Sequence, residues 1–122
     1  MSLAVIHRNE VTLVGRLSAA AAERTLPSGD LVVSWRVVVQ RPPDPSRTAV
    51  AVDTIDCVAR TGALGRRAMT WLPGDTMEMT GALRRRFWRG GDGVRSRYEV
   101  EVATARRVGR AGANGGGQIS SA

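Results

Sequence analysis

The chain has 122 residues, 43% of them apolar, with 18 basic against 11 acidic side chains and a net charge of +7. That length holds one domain with a buried core and at most a short appendage, and the charge favours a polyanionic partner. A lone cysteine, Cys57, excludes an internal disulfide framework, and no CxxC or Cys/His spacing suits zinc, so no metal or other cofactor is expected and a reducing, cytoplasmic setting is.

Every basic residue is arginine, the cation better suited to phosphate contact and to stacking on base planes. From Arg84 to Arg110, nine arginines face only Asp92, Glu99 and Glu101, a net of +6. Most of the electrostatic field therefore originates in the last third. Neither a signal peptide nor a membrane span is expected: the N-terminal apolar run ends at His7 and Arg8, and LVVSWRVVVQ is too short and carries Arg36.

Strand patterns dominate. VTLVGRL (11–17) is an apolar run rich in β-branched residues, and Gly15 within it suggests a bulge or sharp bend. LPSGD (26–30) has hairpin-turn chemistry. In LVVSWRVVVQ (31–40), alternation puts Val33, Trp35, Val37 and Val39 on a core face and Val32, Ser34, Arg36, Val38 and Gln40 on the other. RPPDPSRT (41–48) has three prolines and must be a loop, and VAVDTIDCVAR reads as a third strand. Leu64, Ala68, Trp71 and Leu72 at helical spacing predict a helix of about three turns over 61–72, stopped by Pro73-Gly74. TMEMTGALRRRFW and RSRYEVEVATARRV supply two more strands across a GGDG turn. The composition of residues 109–122 predicts a disordered tail after a domain spanning 1–108. Five strands with one helix between the third and fourth is the element order of an all-β OB-fold, a partly open five-stranded barrel that binds oligonucleotides on one face.

In the fourth strand, alternation sends Ala82, Arg84, Arg86 and Trp88 to one side and Leu83, Arg85, Phe87 and Arg89 to the other. Cations in line with an indole suit a single-stranded nucleic acid, whose unpaired bases stack on flat side chains; the competing reading is a solvated edge that blocks aggregation. Trp35 and Trp71 are expected in the core, as is Cys57. Phe87 and Tyr98 stay unassigned, and Arg36 either extends the basic surface or is solvated. Catalysis has no visible basis: His7 lacks a neighbouring nucleophile or carboxylate, and Asp53 and Asp56 point to opposite faces.

NEVTLVGRL (9–17), RTLPSGDLVVSW (24–35), PGDTMEMTGALRRRFW (73–88) and YEVEV (98–102) together resemble, in order and spacing, the bacterial single-stranded DNA-binding protein (SSB) family. The resemblance implies a homotetrameric OB-fold that wraps single-stranded DNA without sequence preference, in replication, recombination or repair near the nucleoid. Arg84, Arg86 and Trp88 match its phosphate-contact and stacking pattern, with Arg36, Arg41, Arg60 and Arg97 as further candidate contacts. Stacking aromatics that family members carry after the second strand and along the third are replaced here by Arg41, Thr54, Ile55 and Arg60, so binding should lean on charge. The acidic tip that recruits replication and repair enzymes has no counterpart in GGGQISSA, so the tail is not expected to recruit them and the chain looks like a short paralogue. Two alternatives remain open: an accessory protein-interaction subunit of a replication-restart or repair assembly, and an RNA-binding role.

Overall fold

The computed structural model describes residues 4–60 and 62–112. In chain order the elements are β1 (Val11–Leu17), β2 (Ala22–Thr25), β3 (Leu31–Gln40), β4 (Val52–Arg60), α1 (Ala63–Ala68), β5 (Thr76–Gly90) and β6 (Gly93–Gly109). β1 pairs with both β5 and β3, so the neighbour relations β1-β5-β6-β4-β3 return to β1 and the sheet closes on itself. All ladders are antiparallel except β4 with β6. This is the expected OB-fold, with the helix between the third and fourth of its five ring strands. A sixth strand, β2, was too short to read from the sequence; it forms because Ala22–Thr25 pairs with Ser34–Leu31 across the LPSGD turn.

Gly15 lies where β1 passes from β5 to β3, and a Cβ there would sit 2.9 Å from the Val38 carbonyl oxygen. The expected bend is thus a close strand crossing that only glycine permits. A second close approach is at Gly81, whose added Cβ would meet the Glu101 carbonyl oxygen at 2.0 Å. The register also shifts there: Thr80 faces Thr104 and Gly81 faces Val102, leaving Ala103 unpaired. That bulge on β6 reverses its alternation, so Val100, Val102 and then Ala105, rather than Thr104, face the core.

The core joins Leu17, Val33, Trp35, Val37, Cys57, Ala59, Met77, Met79, Val100 and Val102 with Ala68 and Trp71 from the helical segment. Trp35 and Trp71 meet edge to face at 5.1 Å, and the Trp35 indole N–H donates to the Met79 sulfur at 3.4 Å, as buried indoles require. Cys57 is buried, and desolvation pushes its thiol up to about 12, so it stays protonated and behaves as a small apolar residue.

The helix is shorter than its periodicity predicts. It ends at Ala68, and the Thr70 hydroxyl donates to the Arg67 carbonyl at 2.6 Å, a local bond that competes with helix continuation. Trp71 still reaches the core, through a turn, but Leu72 is exposed. Beyond β6, the Ala111 N–H donates to Asp75 at 2.7 Å; the remainder of the expected tail, residues 113–122, lies outside the described residues.

Asp75 is fully buried and also accepts from the Leu72 N–H at 2.9 Å and the Arg107 guanidinium at 3.2 Å. Burial pushes its carboxyl up, but the Leu72 and Ala111 N–H groups and then Arg107 outweigh it and hold the group below its ordinary value. A depressed carboxyl stabilises the fold above its unfolded value of about 3.9 and loses that contribution as pH falls through the folded value. Asp75→Asn should therefore cost about 2 to 4 kcal/mol at neutral pH by urea denaturation, with the gap to wild type narrowing below about pH 4.

Candidate nucleic-acid interface

β5 and β6 are far longer than the strands beside them. β1 leaves β5 at Gly81, and β4 pairs with β6 only at Val100 and Glu101. From Leu83 outward the pair is a two-stranded arm, closed near Gly90 and Gly93. Asn9 pins its base, its amide donating to the Leu83 carbonyl at 2.8 Å and accepting from the Leu83 N–H at 2.9 Å.

The register places Ala82, Arg84, Arg86 and Trp88 opposite Glu101, Glu99, Arg97 and Arg95. Because paired residues share a face, the arginines of β5 lie beside two glutamates of β6. Ion pairs run diagonally: Arg84 Nε donates to Glu101 at 3.0 Å, and Arg86 Nε donates to Glu99. Glu99 also accepts from Arg97 at 3.4 Å and from Arg24, on β2, at 3.3 Å. Its side chain has no solvent exposure, whereas the Arg24, Arg86 and Arg97 side chains keep 34%, 28% and 38% of theirs. One buried carboxylate thus holds three half-exposed guanidiniums, each retaining N–H groups that the carboxylate does not use.

Glu101 is shared by Arg84 and by Arg60 at 3.5 Å. The hydrogen bond from Arg84, aided by the nearby charges of Arg60 and Arg86, holds its carboxyl below the usual range against partial burial. Five arginines therefore surround two carboxylates, and the cluster keeps a surplus of positive charge.

Trp88 lies at the outer end of this face, half-buried. It lines a groove of about 490 Å³ with Arg24, Leu26, Pro27, Ser28, Arg86 and Arg97, and Arg85 and Phe87 of β5 border the same groove. Leu26 packs with Val32 and Val58 in a small apolar cluster separate from the main core, which seats the β2–β3 turn beside the groove. The groove therefore offers an indole, a phenyl ring at its border, an apolar side and four cations.

Of the residues expected from sequence, Arg84, Arg86, Trp88, Arg97 and Arg60 fall together. Arg36 lies on the adjoining ribbon; it donates to Asp56 at 2.9 Å and shares a hollow with Arg24 and Arg97. Arg41 is not brought to this group. It lies beyond β3 in the proline loop, has the parity of the core-facing Val37 and Val39, and binds Asp53 at 2.7 Å. That hydrogen bond raises Arg41 and lowers Asp53 from their ordinary values. Sequence reasoning missed Arg24, Glu99 and Glu101. The two glutamates had a visible signal, the alternation in YEVEV opposite alternating arginines; Arg24 had none, because the hairpin that carries it to Glu99 folds across the sheet.

Glu99→Gln keeps the shape and removes the charge, leaving three guanidiniums to repel one another. The expected loss is about 2 to 4 kcal/mol in urea denaturation.

A model of the "Single-strand binding protein family" matches residues 8–108. No curated protein matches the chain in sequence. Among solved structures, the fold is similar to the Plasmodium falciparum SSB in complex with ssDNA, with a TM-score of 0.70 at 15% identity, over 87% of this chain and 99% of that one. That likeness concerns the fold, while the family match covers every ring strand together with the arm and its arginine face. The chain belongs to the single-strand binding protein family.

Proposed function

We propose that this protein binds single-stranded DNA without reading its sequence, and covers strands exposed during replication, recombination or repair. The observation that carries this reading is the half-buried Trp88 beside Arg86, Arg97 and Arg24 in one open groove. An unpaired base stacks on the indole while its phosphates meet the guanidiniums; duplex DNA, whose base faces are already stacked, gains only the second part. The strand continues along Arg84 and Arg60, and Arg36 extends the track on the neighbouring ribbon. Neither element reads a base edge, so binding tolerates any sequence.

The family relationship supports a homotetramer in which one strand crosses several such faces, in the cytoplasm with the nucleoid. The complex of the Plasmodium protein with ssDNA supports the same ligand. A second reading, an accessory protein-interaction subunit with weak DNA binding, is favoured by one feature: Arg36, Arg41, Arg60 and Arg84 are each already paired with a carboxylate.

The deciding experiment is titration with oligo-dT, read by tryptophan fluorescence and by anisotropy of labelled DNA, at two salt concentrations. Wild type should show saturable quenching, because Trp35 and Trp71 are buried and Trp88 is the indole that DNA reaches. Trp88→Ala should lose most of the quenching and roughly five- to a hundred-fold in affinity, with the log-log salt slope, about −0.7 per phosphate neutralised, nearly unchanged. Absence of both quenching and anisotropy change at low salt would select the accessory reading.

A further inference from the structure

The arm has a second face. Opposite the Trp88 row, Arg85, Phe87 and Arg89 of β5 stand across from Tyr98, Ser96 and Val94 of β6. Phe87 is 61% exposed and Tyr98 57%, with Leu83 and Val94 also open to solvent. The Arg85 guanidinium lies 4.9 Å from the Phe87 ring centre and 5.4 Å from that of Tyr98, and donates to the Ser96 hydroxyl at 3.1 Å. Two aromatic rings and a guanidinium plane are thus fixed together on the surface.

Its charge differs from that of the Trp88 face. There, Glu99 and Glu101 offset part of the arginine charge; here Arg85 and Arg89 stand in rows with no carboxylate on either strand. An exposed aromatic pair would also suit another protein surface. The uncompensated arginines beside it oppose a second copy of this basic chain and favour a polyanion with flat apolar groups, which describes single-stranded nucleic acid.

We propose that the Phe87–Arg85–Tyr98 cluster is a second stacking site for unpaired bases, so that a bound strand passes round the arm and is held on both sides. The proposal rests on the single-strand-binding reading and deepens it. Phe87 and Trp88 are consecutive residues of alternating orientation, the arm is only two strands wide, and Arg85 and Phe87 already border the Trp88 groove, so a strand leaving that groove reaches the second face by rounding one ribbon edge.

The test moves the fluorescent reporter. In a Phe87→Trp, Trp88→Phe double variant, the indole of the second face should be solvent-exposed in the free protein and quenched on saturation with long oligo-dT, with DNA binding followed independently by anisotropy. In a Phe87→Ser, Tyr98→Ser variant, affinity for the long strand should fall roughly five-fold or more, while Trp88 quenching at saturation keeps its wild-type amplitude. Binding by anisotropy without quenching of the moved indole, or an affinity within two-fold of wild type after the serine changes, overturns the proposal. So does an indole already shielded from acrylamide without DNA, since a second copy would then cover the face. Failure of wild type itself to bind oligo-dT would instead remove the underlying reading.

Discussion

The carboxylate of Glu99, out of solvent beneath the guanidiniums of Arg24, Arg86 and Arg97, ties the short β2, which pairs only with β3, to the β5–β6 ribbon. Arg24 belongs to the short β2, Arg86 to the free part of β5, and Arg97 to β6 itself. The next residue, Val100, is the last core side chain in that direction, so Glu99 stands where the core ends and the arm begins. A two-stranded ribbon alone is only marginally stable in water. This one continues two core strands, and its base is fastened by a charge cluster on one face and by Asn9 at its edge.

Fixing guanidiniums on a buried anion has a functional consequence. A flexible surface arginine loses rotamer freedom whenever it grips a phosphate. Arg86 and Arg97 are already ordered by Glu99, so under the proposed reading a phosphate at their outer edge would meet donors whose orientation is set before it arrives. The same glutamate also weakens the field felt by the phosphate. The arrangement exchanges some attraction for geometry, and net positive charge survives because the arginines outnumber the carboxylates.

Much of this was legible in the sequence because it rests on alternation. The core face of β3, the arginine-tryptophan row of β5 and the burial of Trp35, Trp71 and Cys57 follow from period-two patterns and local apolar runs. What escaped depends on features that a pattern does not encode. The bulge at Ala103 reverses the parity of β6, so Ala105 faces inward where alternation from Val102 would have put Thr104. The helix stops at Ala68, where the Thr70 and Trp71 N–H groups turn to the i−3 carbonyls of Arg67 and Ala68, although the spacing of Leu64, Ala68, Trp71 and Leu72 continues past it. Arg24 meets Glu99 across 75 positions of sequence, a contact made only when the β2–β3 hairpin folds over the sheet. Arg41 went the other way: expected as a further contact, it is paired with Asp53 away from the cluster.

The two faces of the arm show how a chain with few aromatics can still be shaped for stacking. Phe, Trp and Tyr make up 4% of the residues, and two of the three tryptophans are committed to the core, where each secures helical segment to sheet. The remaining Trp, the one Phe and the one Tyr, at 88, 87 and 98, all lie on the arm. Since exposed aromatics confer nothing on an edge that only has to stay soluble, and arginines alone suffice to keep an edge unpaired, the joint placement argues for a ligand with planar groups rather than for a merely protected edge.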